Sequence, residues 1–413
     1  MPYIIGTGST TFGKHPNRSF RELAKESIQS AMDDAQHIHA PQNIYFGNCA
    51  MHAFGQANIR GQTVLQPLFQ EGLLAANTPI TNIEAGCATG GASFHAAVQS
   101  LHHNDFSMAV GVEKLLFPDD PKMLKSFPLF ADGIDKHHKD EWMSFYKEQA
   151  QKHSLPFSPH PYRIIFLDIH AMQAQSSIKK GHCSQENIAQ VASKNHNNSV
   201  QNSRAQYRFP MTPQQVLADR DIIAPFTRSM CAPVSDGSSA VLLCSDAAYQ
   251  KLPRTIQKRS VQILSSAMAG GSMRDHNEAS VTYYAGRKSF SQASITPADI
   301  NIAEVHDSTA HCELKHMESL QLCEKAGPLV QEGITQRTGT LPINASGGLI
   351  SKGHPLGATG IGQLFELTVQ LRGEGGDIQV ENMPTHALAQ NAGGMIGFDE
   401  ALSVVSILKR VSS

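Results

Sequence analysis

Short apolar runs and stretches of helical spacing follow one another closely in the first third of the chain. Pro79–Glu84 and Ser107–Gly111 are short apolar runs of the kind that form buried strands. Between them, residues 92–101 are rich in alanine and have apolar positions about 3.6 residues apart, which predicts a helix. The first run leads through a glycine-rich turn directly into this helix, so the pattern predicts a strand, a tight turn and a helix.

A similar arrangement recurs late in the chain. Its predicted parts are Thr340–Asn344 in the place of the strand, a helix at 358–371, and strands at 386–389 and 401–408. The last run is largely apolar with a β-branched centre, which is typical of a central strand. We therefore predict two related βα halves, residues 1–255 and 256–413.

The first half carries two further features. A strand at 240–244 follows a predicted turn at 235–238. Residues 117–160 are rich in Asp, Lys, Pro and His and show little periodicity. Such a stretch favours a loop subdomain, which we expect to be inserted over the active site.

The composition narrows the class of protein. A chain of 413 residues with 40% apolar and 17% charged residues has an ordinary globular balance and room for two fused halves. The net charge of −2 gives no reason to expect nucleic acid or an anionic membrane as a partner. The N-terminus does not resemble a signal peptide, and no apolar run is long enough to span a membrane. Seven cysteines without a Cys-x-x-Cys pair argue against disulfides or a metal site and favour the cytoplasm.

Cys87 is the first candidate for chemistry. It lies between a predicted strand and a predicted helix, in the small-residue frame Gly86-Cys-Ala-Thr-Gly-Gly91. Such a turn exposes the thiol, and the start of a helix favours a thiolate and presents N–H groups to an oxyanion. We therefore predict a covalent nucleophile with a lowered pKa. The alternative is a buried structural cysteine in a glycine turn.

A second dense motif occupies residues 347–360, where five glycines surround His354. Pro355 suits the first turn of the predicted helix, which leaves the His354 ring at the helix mouth. A histidine there can take a proton from a thiol and return it to a leaving group. Ser346 and Gly347 are candidates for contact with a polar part of the ligand. The alternative for His354 is a side chain that only caps a turn.

These motifs together resemble those of the thiolase superfamily. The Cys87 turn is similar to the nucleophile turn of thiolases, and Asn344–Gly348 followed by Gly353–Gly360 is similar to their acid–base histidine loop. Ser235–Ala240 also resembles a mid-chain turn of the family. The order and separation match over essentially the whole chain, and the nearest branch is that of the sterol-carrier-protein-type thiolases and thiolase-like acetyl-CoA acetyltransferases.

The resemblance implies a fold, an assembly and a reaction. The fold is α/β, with two βαβαβαββ halves packed as a five-layer α/β/α/β/α sandwich, in a homodimer or homotetramer. The substrate is an acyl thioester of coenzyme A, with no permanently bound cofactor and a role in lipid metabolism. Cys87 takes the acyl group and His354 activates it. A related branch works with a small zinc-ribbon/OB-fold protein, which is a possible partner.

Two positions depart from the commonest thiolase pattern. The resembling branch has His-Asp-Cys-Phe where this chain has His306-Asp307-Ser308-Thr309. By that match His306 polarises the thioester oxygen, and the alternative is a buried histidine beside Asp307. Ser308 stands where the branch has its second acid–base cysteine. A serine hydroxyl alone is too weak an acid to replace a thiol with a pKa of about 8.5.

The other known location of a second cysteine is a late Cys-x-Gly-Gly loop, which falls near Gln390 in this chain. No cysteine occurs there, although the backbone of Ala392, Gly393 and Gly394 remains a candidate oxyanion hole. Cys312 lies one helical turn beyond Ser308 and is a further, distant candidate for the missing base.

Three classes of function follow from these residues. The first is an acyltransferase of thiolase type acting through acyl-Cys87, with a condensing variant that obtains its carbon nucleophile without a second cysteine. The second is a retro-aldol lyase of the same fold, against which the retained Cys87 counts. The third is a non-catalytic subunit that binds acyl-CoA or a partner protein.

Overall fold

The computed structural model describes residues 1–116, 134–135, 137–160, 163–275 and 277–411. The strands are β1 Tyr3–Ser9, β2 Ile44–Gly47, β3 Ile80–Ile83, β4 Phe106–Glu113, β5 Asp221–Ile223, β6 Phe226–Thr227, β7 Gly237–Cys244, β8 Val261–Gly270, β9 Ile302–Glu304, β10 His386–Gly393 and β11 Leu402–Arg410.

The α-helices of the described residues are α1 Phe20–Asp34, α2 Arg60–Gln70, α3 Thr89–Ser100, α4 Lys139–Lys152, α5 Ile165–Lys179, α6 Gln185–Ser199, α7 Pro213–Leu217, α8 Asp246–Tyr249, α9 Arg254–Arg259, α10 Val281–Ala293, α11 Ala310–Ser319, α12 Ala326–Gln331, α13 Gly348–Lys352 and α14 Leu356–Arg372. No helix among them is long and apolar enough to cross a membrane.

Nine strands of the described residues form one continuous sheet in the order β3-β2-β4-β7-β1-β8-β11-β10-β9. The two sides of the sheet repeat one pattern of pairing. β1 and β7 are antiparallel, as are β8 and β11, and β4 lies parallel to β2 as β10 lies parallel to β9. The sides are joined where β1 pairs with β8. The strands before and after residue 255 therefore occupy opposite sides of the sheet, although the exact boundary stays a prediction.

Alternating side chains explain how the layers form, because neighbours along a strand point to opposite faces. Ile5 and Leu242 pack in a core with α1 and α2, whereas Ile4 and Val241 pack in a core with α3 and α14. On the other side of the sheet, strand residues of β10 and β11 pack against α10 and α11. Helices α3 and α14 thus form a central layer between two sheet halves, with helices outside each. This is the predicted five-layer α/β/α/β/α arrangement.

Most predicted elements are present with shifted ends. The middle strand begins at Gly237, inside the predicted turn, and the strand predicted at 386–389 continues to Gly393. Thr340–Asn344 forms no strand of its own, although Ile343 makes a single parallel bridge to Ala303 beside β9. The predicted glycine turns at 86–91 and 345–357 both lead into helices of the central layer, and that placement brings the two motifs together.

The excursion from the first half is longer than predicted, and part of its described residues is helical. The chain leaves the sheet at Glu113 and returns to it at Gly237, and helices α4 to α7 lie between. Within the predicted loop subdomain at 117–160, residues 139–152 are helical, which the low periodicity of that stretch did not indicate. Residues 117–133 and 136 lie outside the described residues. Tyr146 of α4 packs with Ile169, Met395 and Phe398, so this segment covers the end of β10.

Candidate active site

The turn that carries Cys87 is held against the turn that follows β10. Cys87 lies between β3 and α3, and Gly86 before it has φ of 56°, in the left-handed region that favours glycine. A Cβ at Gly86 would lie 3.0 Å from the backbone nitrogen of Gly394. A Cβ at Gly393 would lie 2.5 Å from the nitrogen of Cys87. Both glycines are therefore required for the two backbones to approach this closely.

His354 lies between α13 and α14, and its hydrogen bonds define its tautomer. Its backbone N–H donates to Ser235 Oγ at 2.9 Å. Its Nδ1 lies 2.8 Å from Thr359 Oγ1, which itself donates to the Pro355 carbonyl at 3.0 Å. Since the Thr359 proton is used, Nδ1 carries the hydrogen and Nε2 keeps its lone pair. Nε2 is buried and has no hydrogen-bond partner among the described residues.

His306 has the opposite tautomer, and Asn391 sets it. Asn391 Oδ1 accepts the Gly91 N–H at 2.9 Å, which orients the amide. The Asn391 Nδ2 group then donates to the Cys87 carbonyl at 3.0 Å and faces His306 Nδ1 at 3.2 Å. His306 Nδ1 must therefore accept, so Nε2 carries the hydrogen.

Cys87, His306 and His354 form one cluster. One side-chain donor or acceptor atom from each lies within 4.8 Å of those of the other two, and the histidine ring centroids are 5.1 Å apart. Burial lowers the pKa of His354 to about 3 and, together with His354, holds that of His306 well below its usual range. Both rings are therefore neutral at pH 7. One offers a lone pair and the other an N–H, which suits proton transfer and oxyanion stabilisation.

A cysteine and two histidines at this spacing also resemble a metal-ligand set. Metal binding would require a lone pair on each imidazole. The Nε2 of His306 carries a hydrogen because Asn391 donates to its other nitrogen. With these hydrogen bonds, His306 Nε2 offers no lone pair to a metal ion.

The structure corrects one expectation about Cys87. The start of a helix was expected to lower the thiol pKa, but burial, followed by the negative charge of Glu113, raises the pKa of Cys87 to about 12. The thiol borders the cavity yet is surrounded by protein, so desolvation of the thiolate outweighs the helix terminus. Cys87 is therefore a neutral thiol at rest, and it needs His354 to remove its proton.

Glu113, at the end of β4, connects two segments near the site through hydrogen bonds to their backbones. Its carboxylate accepts N–H groups from Cys49 at 2.9 Å, Ala50 at 3.0 Å and Gly357 at 3.1 Å. Gly357 lies in the first turn of the helix that follows His354. Burial raises the pKa of Glu113 to about 7. The sequence gave no signal for this role, since the partners of Glu113 are distant along the chain.

The cluster opens into a cavity of about 600 Å³. Of the predicted site residues, those that line it are Cys87, His306, Ser308, His354, Ala392, Gly393 and Gly394. Apolar side chains from the excursion, including Leu115, Ile134, Tyr146 and Ile165, form much of the remaining wall. The two motifs and the His306 segment thus meet at one cavity.

Ser346 and Gly347 do not line this cavity. Ser346 is buried and its hydroxyl donates to Glu304 Oε2 at 2.7 Å. Gly347, with φ of 106°, packs closely against Ser199. The structure therefore places these two residues away from the cavity, and their predicted contact with a ligand gains no support from its lining.

Besides Glu113, two further residues of the site were missed. Asn391 follows Gln390 and was assigned no role from the sequence, yet it orients His306 and contacts the Cys87 backbone. His170 of α5 lines the cavity, although it lies in a segment for which the sequence gave no functional signal. A polar residue within the apolar strand β10 was the available signal for Asn391.

Comparisons with known proteins extend over most of the chain. The family described as "Thiolase, N-terminal domain" matches residues 2–223, and "Thiolase C-terminal domain-like" matches residues 264–410. The acetyl-CoA acetyltransferase of Methanothermobacter thermautotrophicus is 32% identical over 404 residues, which cover 95% of this chain and 96% of that protein. Sterol carrier protein 2 of Bos taurus is 31% identical over 405 residues, which cover 95% of this chain and 70% of that protein.

A solved structure shows the likeness in fold. The Ltp2-ChsH2(DUF35) aldolase superposes with a TM-score of 0.74 at 18% identity, covering 99% of this chain and 97% of that chain.

Proposed function

This chain belongs to the thiolase family, and we propose that it is an acyl-CoA C-acyltransferase of thiolase type that works through an acyl group on Cys87. The family and fold predicted from the sequence are confirmed by the family matches and the structural likeness. The observation that carries the proposal is the pair of opposite histidine tautomers beside one cysteine thiol.

The first half of the reaction transfers an acyl group to Cys87. His354 Nε2 takes the thiol proton as Sγ attacks the thioester carbonyl, because a thiol with a pKa of about 12 is a poor nucleophile until it is deprotonated. The carbon–sulfur bond of the thioester then breaks. The leaving thiolate of coenzyme A takes the proton from His354, which leaves acyl-Cys87 and free coenzyme A.

The developing oxyanion has two sources of stabilisation in this mechanism. His306 presents an Nε2–H group whose hydrogen is fixed by Asn391. The backbone of Gly393 and Gly394 borders the same cavity and closely approaches the Cys87 turn. Fixed donors of this kind contribute about 3 to 4 kcal/mol each to transition-state stabilisation.

The second half forms or breaks a carbon–carbon bond. A carbanion at Cα of a second acyl-CoA attacks acyl-Cys87, releases the Cys87 thiolate and gives a 3-ketoacyl-CoA, and the reverse direction is thiolysis. The proposed substrate class is supported by the 32% identical relative, which is named for acetyl-CoA. The cavity of about 600 Å³ with apolar walls is large enough for a short acyl chain.

The assembly and surroundings of the enzyme remain part of the proposal. We propose that the enzyme is a homodimer or homotetramer, that it lies in the cytoplasm and that it has a role in lipid metabolism. The proposed compartment is supported by the seven cysteines, which are all free thiols. A small zinc-ribbon/OB-fold partner is a further proposal, supported by the structurally similar aldolase, whose name includes a DUF35 component. Coenzyme A enters as substrate rather than as a resident group.

Exchange of labelled coenzyme A tests the first half-reaction alone. When acetyl-CoA is mixed with isotopically labelled free coenzyme A, an acyl-Cys87 intermediate moves the label into acetyl-CoA without any second acyl group. We expect exchange in the wild type, none in Cys87→Ala, and unchanged exchange in Cys244→Ser, which removes another buried thiol. Absence of exchange with acetyl-CoA and longer acyl-CoAs would contradict the proposal.

A further inference from the structure

A second cysteine–histidine pair lies behind Ser308. Cys312, on α11, is 1% exposed and does not line the cavity, but its Sγ lies 3.7 Å from Ser308 Oγ. The same sulfur lies 3.2 Å from Thr309 Oγ1 and 3.5 Å from His170 Nδ1. Ser308 borders the cavity that contains Cys87. A chain of contacts therefore runs from the cavity through a hydroxyl to a buried sulfur and an imidazole.

The position of the hydrogen on His170 follows from Gln173. Gln173 Nε2 donates to the Phe398 carbonyl at 2.6 Å, so its Oε1 is the atom that faces His170 Nδ1 at 3.0 Å. An amide oxygen only accepts, so Nδ1 carries a hydrogen. That N–H points to a site shared by Gln173 and the Cys312 sulfur, where it stabilises a thiolate.

The charges around the sulfur favour its anionic form. Lys315, one turn further along α11, lies 2.7 Å from Glu400, and the neutral His316 lies 3.9 Å from the same carboxylate. Burial alone would raise the pKa of Cys312, but His170, followed by Lys315 and Thr309, lowers it to about 6. The pKa of His170 is raised, because Cys312 more than offsets the effect of burial. Cys231, whose backbone pairs with Thr309, is neutral because burial raises its pKa to about 12.

We propose that Ser308 carries a proton from Cα of the second acyl-CoA to the sulfur of Cys312. This inference rests on the proposed function and supplies the base that its second half-reaction requires. Ser308 is the group that contacts the substrate in this mechanism. Cys312 and His170 act through it, as a proton acceptor and as the partner that holds that acceptor in its anionic form.

The step balances in atoms and charge. As the Cα–H bond breaks, Ser308 Oγ accepts that proton and passes its own hydroxyl proton to the Cys312 thiolate. The products are a Cα carbanion, an unchanged serine and a neutral Cys312 thiol. When the carbanion attacks acyl-Cys87, the Cys87 thiolate is released, and a proton equivalent to that held on Cys312 restores both cysteines to their resting forms.

A serine can serve here although its hydroxyl is a weak acid. A hydroxyl both accepts and donates, so it never has to exist as an alkoxide if it gives one proton while it receives another. The sulfur one helical turn away holds the charge instead. In this arrangement Cys312 takes the role of the second acid–base cysteine of the related branch, and it lies further from the cavity than Ser308.

Hydrogen–deuterium exchange at Cα isolates this step from acylation. The protein is incubated with acetyl-CoA in deuterated water, and deuterium in the acetyl group is measured by mass spectrometry. Cys312→Ser preserves a hydroxyl that can bond to Thr309 and His170 but cannot hold a thiolate near neutral pH. We expect Cα exchange to fall about 100-fold or more in Cys312→Ser and in Ser308→Ala, as for loss of a general base.

Matched measurements separate this inference from the proposed function. Coenzyme A exchange, which in the proposed mechanism does not use Ser308, Cys312 or His170, should stay within about threefold of wild type in Cys312→Ser, and Cys244→Ser controls for loss of a buried thiol. If coenzyme A exchange is absent in the wild type, the proposed function fails. If coenzyme A exchange is normal and Cys312→Ser leaves Cα exchange unchanged, the relay through Cys312 is overturned.

Two further measurements distinguish a cysteine that accepts a proton from one that only supports the structure. The Cα exchange rate of the wild type should rise as the pH passes through the pKa of Cys312, about 6, and Cys312→Ser should lose this dependence. Combining Ser308→Cys with Cys312→Ser should restore exchange, because a thiol then borders the cavity directly. Failure of that combination to restore exchange, in a variant that still performs coenzyme A exchange, would contradict the proton route.

Discussion

One cysteine–histidine pair, Cys87 and His354, borders the cavity, and a second, Cys312 and His170, lies at and behind its wall. The surroundings of the two pairs shift the pKa of the thiol in opposite directions. Cys87 lies near the Glu113 carboxylate, and its pKa is raised to about 12. Cys312 lies beside His170 and near Lys315, and its pKa is lowered to about 6. Burial alone raises the pKa of both thiols, so the neighbouring charges decide the difference. The first pair is neutral at rest and suits acyl transfer, whereas the second is charged at rest and suits proton storage.

The largest loss of activity is expected when either member of the Cys87–His354 pair is removed. Cys87→Ala should abolish coenzyme A exchange. His354→Ala should reduce it about 100- to 10,000-fold, because the general base is lost. The rate of label transfer under identical substrate concentrations checks both. Full exchange in Cys87→Ala would show that the acyl group is not carried on that sulfur.

The next largest effect should come from reversing the tautomer of His306. In Asn391→Asp a carboxylate replaces the donating amide, so His306 Nδ1 becomes the donor and Nε2 loses its hydrogen. We expect kcat to fall about 100- to 1000-fold, as for loss of one oxyanion donor. Nitrogen NMR of the histidine rings reports the tautomer directly. An unchanged tautomer together with a large loss of kcat would place the effect of Asn391 elsewhere.

A sulfur placed at the cavity wall tests whether position 308 is an acid–base site. Ser308→Cys alone should increase condensation or thiolysis, because a thiol then lies where the related branch has its second cysteine. Steady-state rates in both directions check this expectation, with coenzyme A exchange as the control. If neither rate changes, Ser308 does not occupy the acid–base position.

Changing the charge near Cys87 should have a smaller effect. Glu113→Gln removes a negative charge that helps raise the pKa of the thiol, so that pKa should fall. Cys87 then forms thiolate at lower pH, and its alkylation by iodoacetamide should shift to lower pH. Peptide mass spectrometry locates the modified cysteine. A shift to higher pH would contradict the assigned role of the Glu113 charge.

The smallest effect is expected from a change in the backbone near Asp307 and Gly348, and it concerns stability. Gly348 has φ of 58°, and a Cβ there would overlap Asp307 Oδ2. Asp307 accepts the Leu349 N–H at 2.7 Å, which links the His306 segment to the His354 loop. Gly348→Ala should lower the free energy of unfolding by about 2 kcal/mol. Chemical denaturation measures this value, and no loss of stability would contradict the proposed strain.

Sequence patterns predicted the parts of the site that are local in the chain. The glycine frames around Cys87 and His354 indicated a nucleophile and a base, because tight turns before helices have recognisable residues. The roles of Asn391, Glu113 and His170 depend on contacts with residues far away in sequence, and periodicity does not report such contacts. The raised pKa of Cys87 was missed for the same reason, since burial and the position of Glu113 follow only from the packed structure.

The fold shows a similar division. The regular strands and the central helices were predicted because their apolar spacing is clear. The helical excursion was missed in part, since α4 contains few apolar positions and buries only Tyr146 and Ala150. The position of Cys312 beside Ser308 was foreseen only as a spacing along a helix. Its pairing with His170 required the placement of α5 against α11.

Intact-protein mass spectrometry after brief mixing with acetyl-CoA tests the central claim most directly. We predict an added acetyl mass that maps to the Cys87 peptide, is absent from Cys87→Ala, and persists in Cys312→Ser. An acetyl group that maps to Cys312, or an adduct that survives in Cys87→Ala, would contradict the assignment of acyl transfer to Cys87.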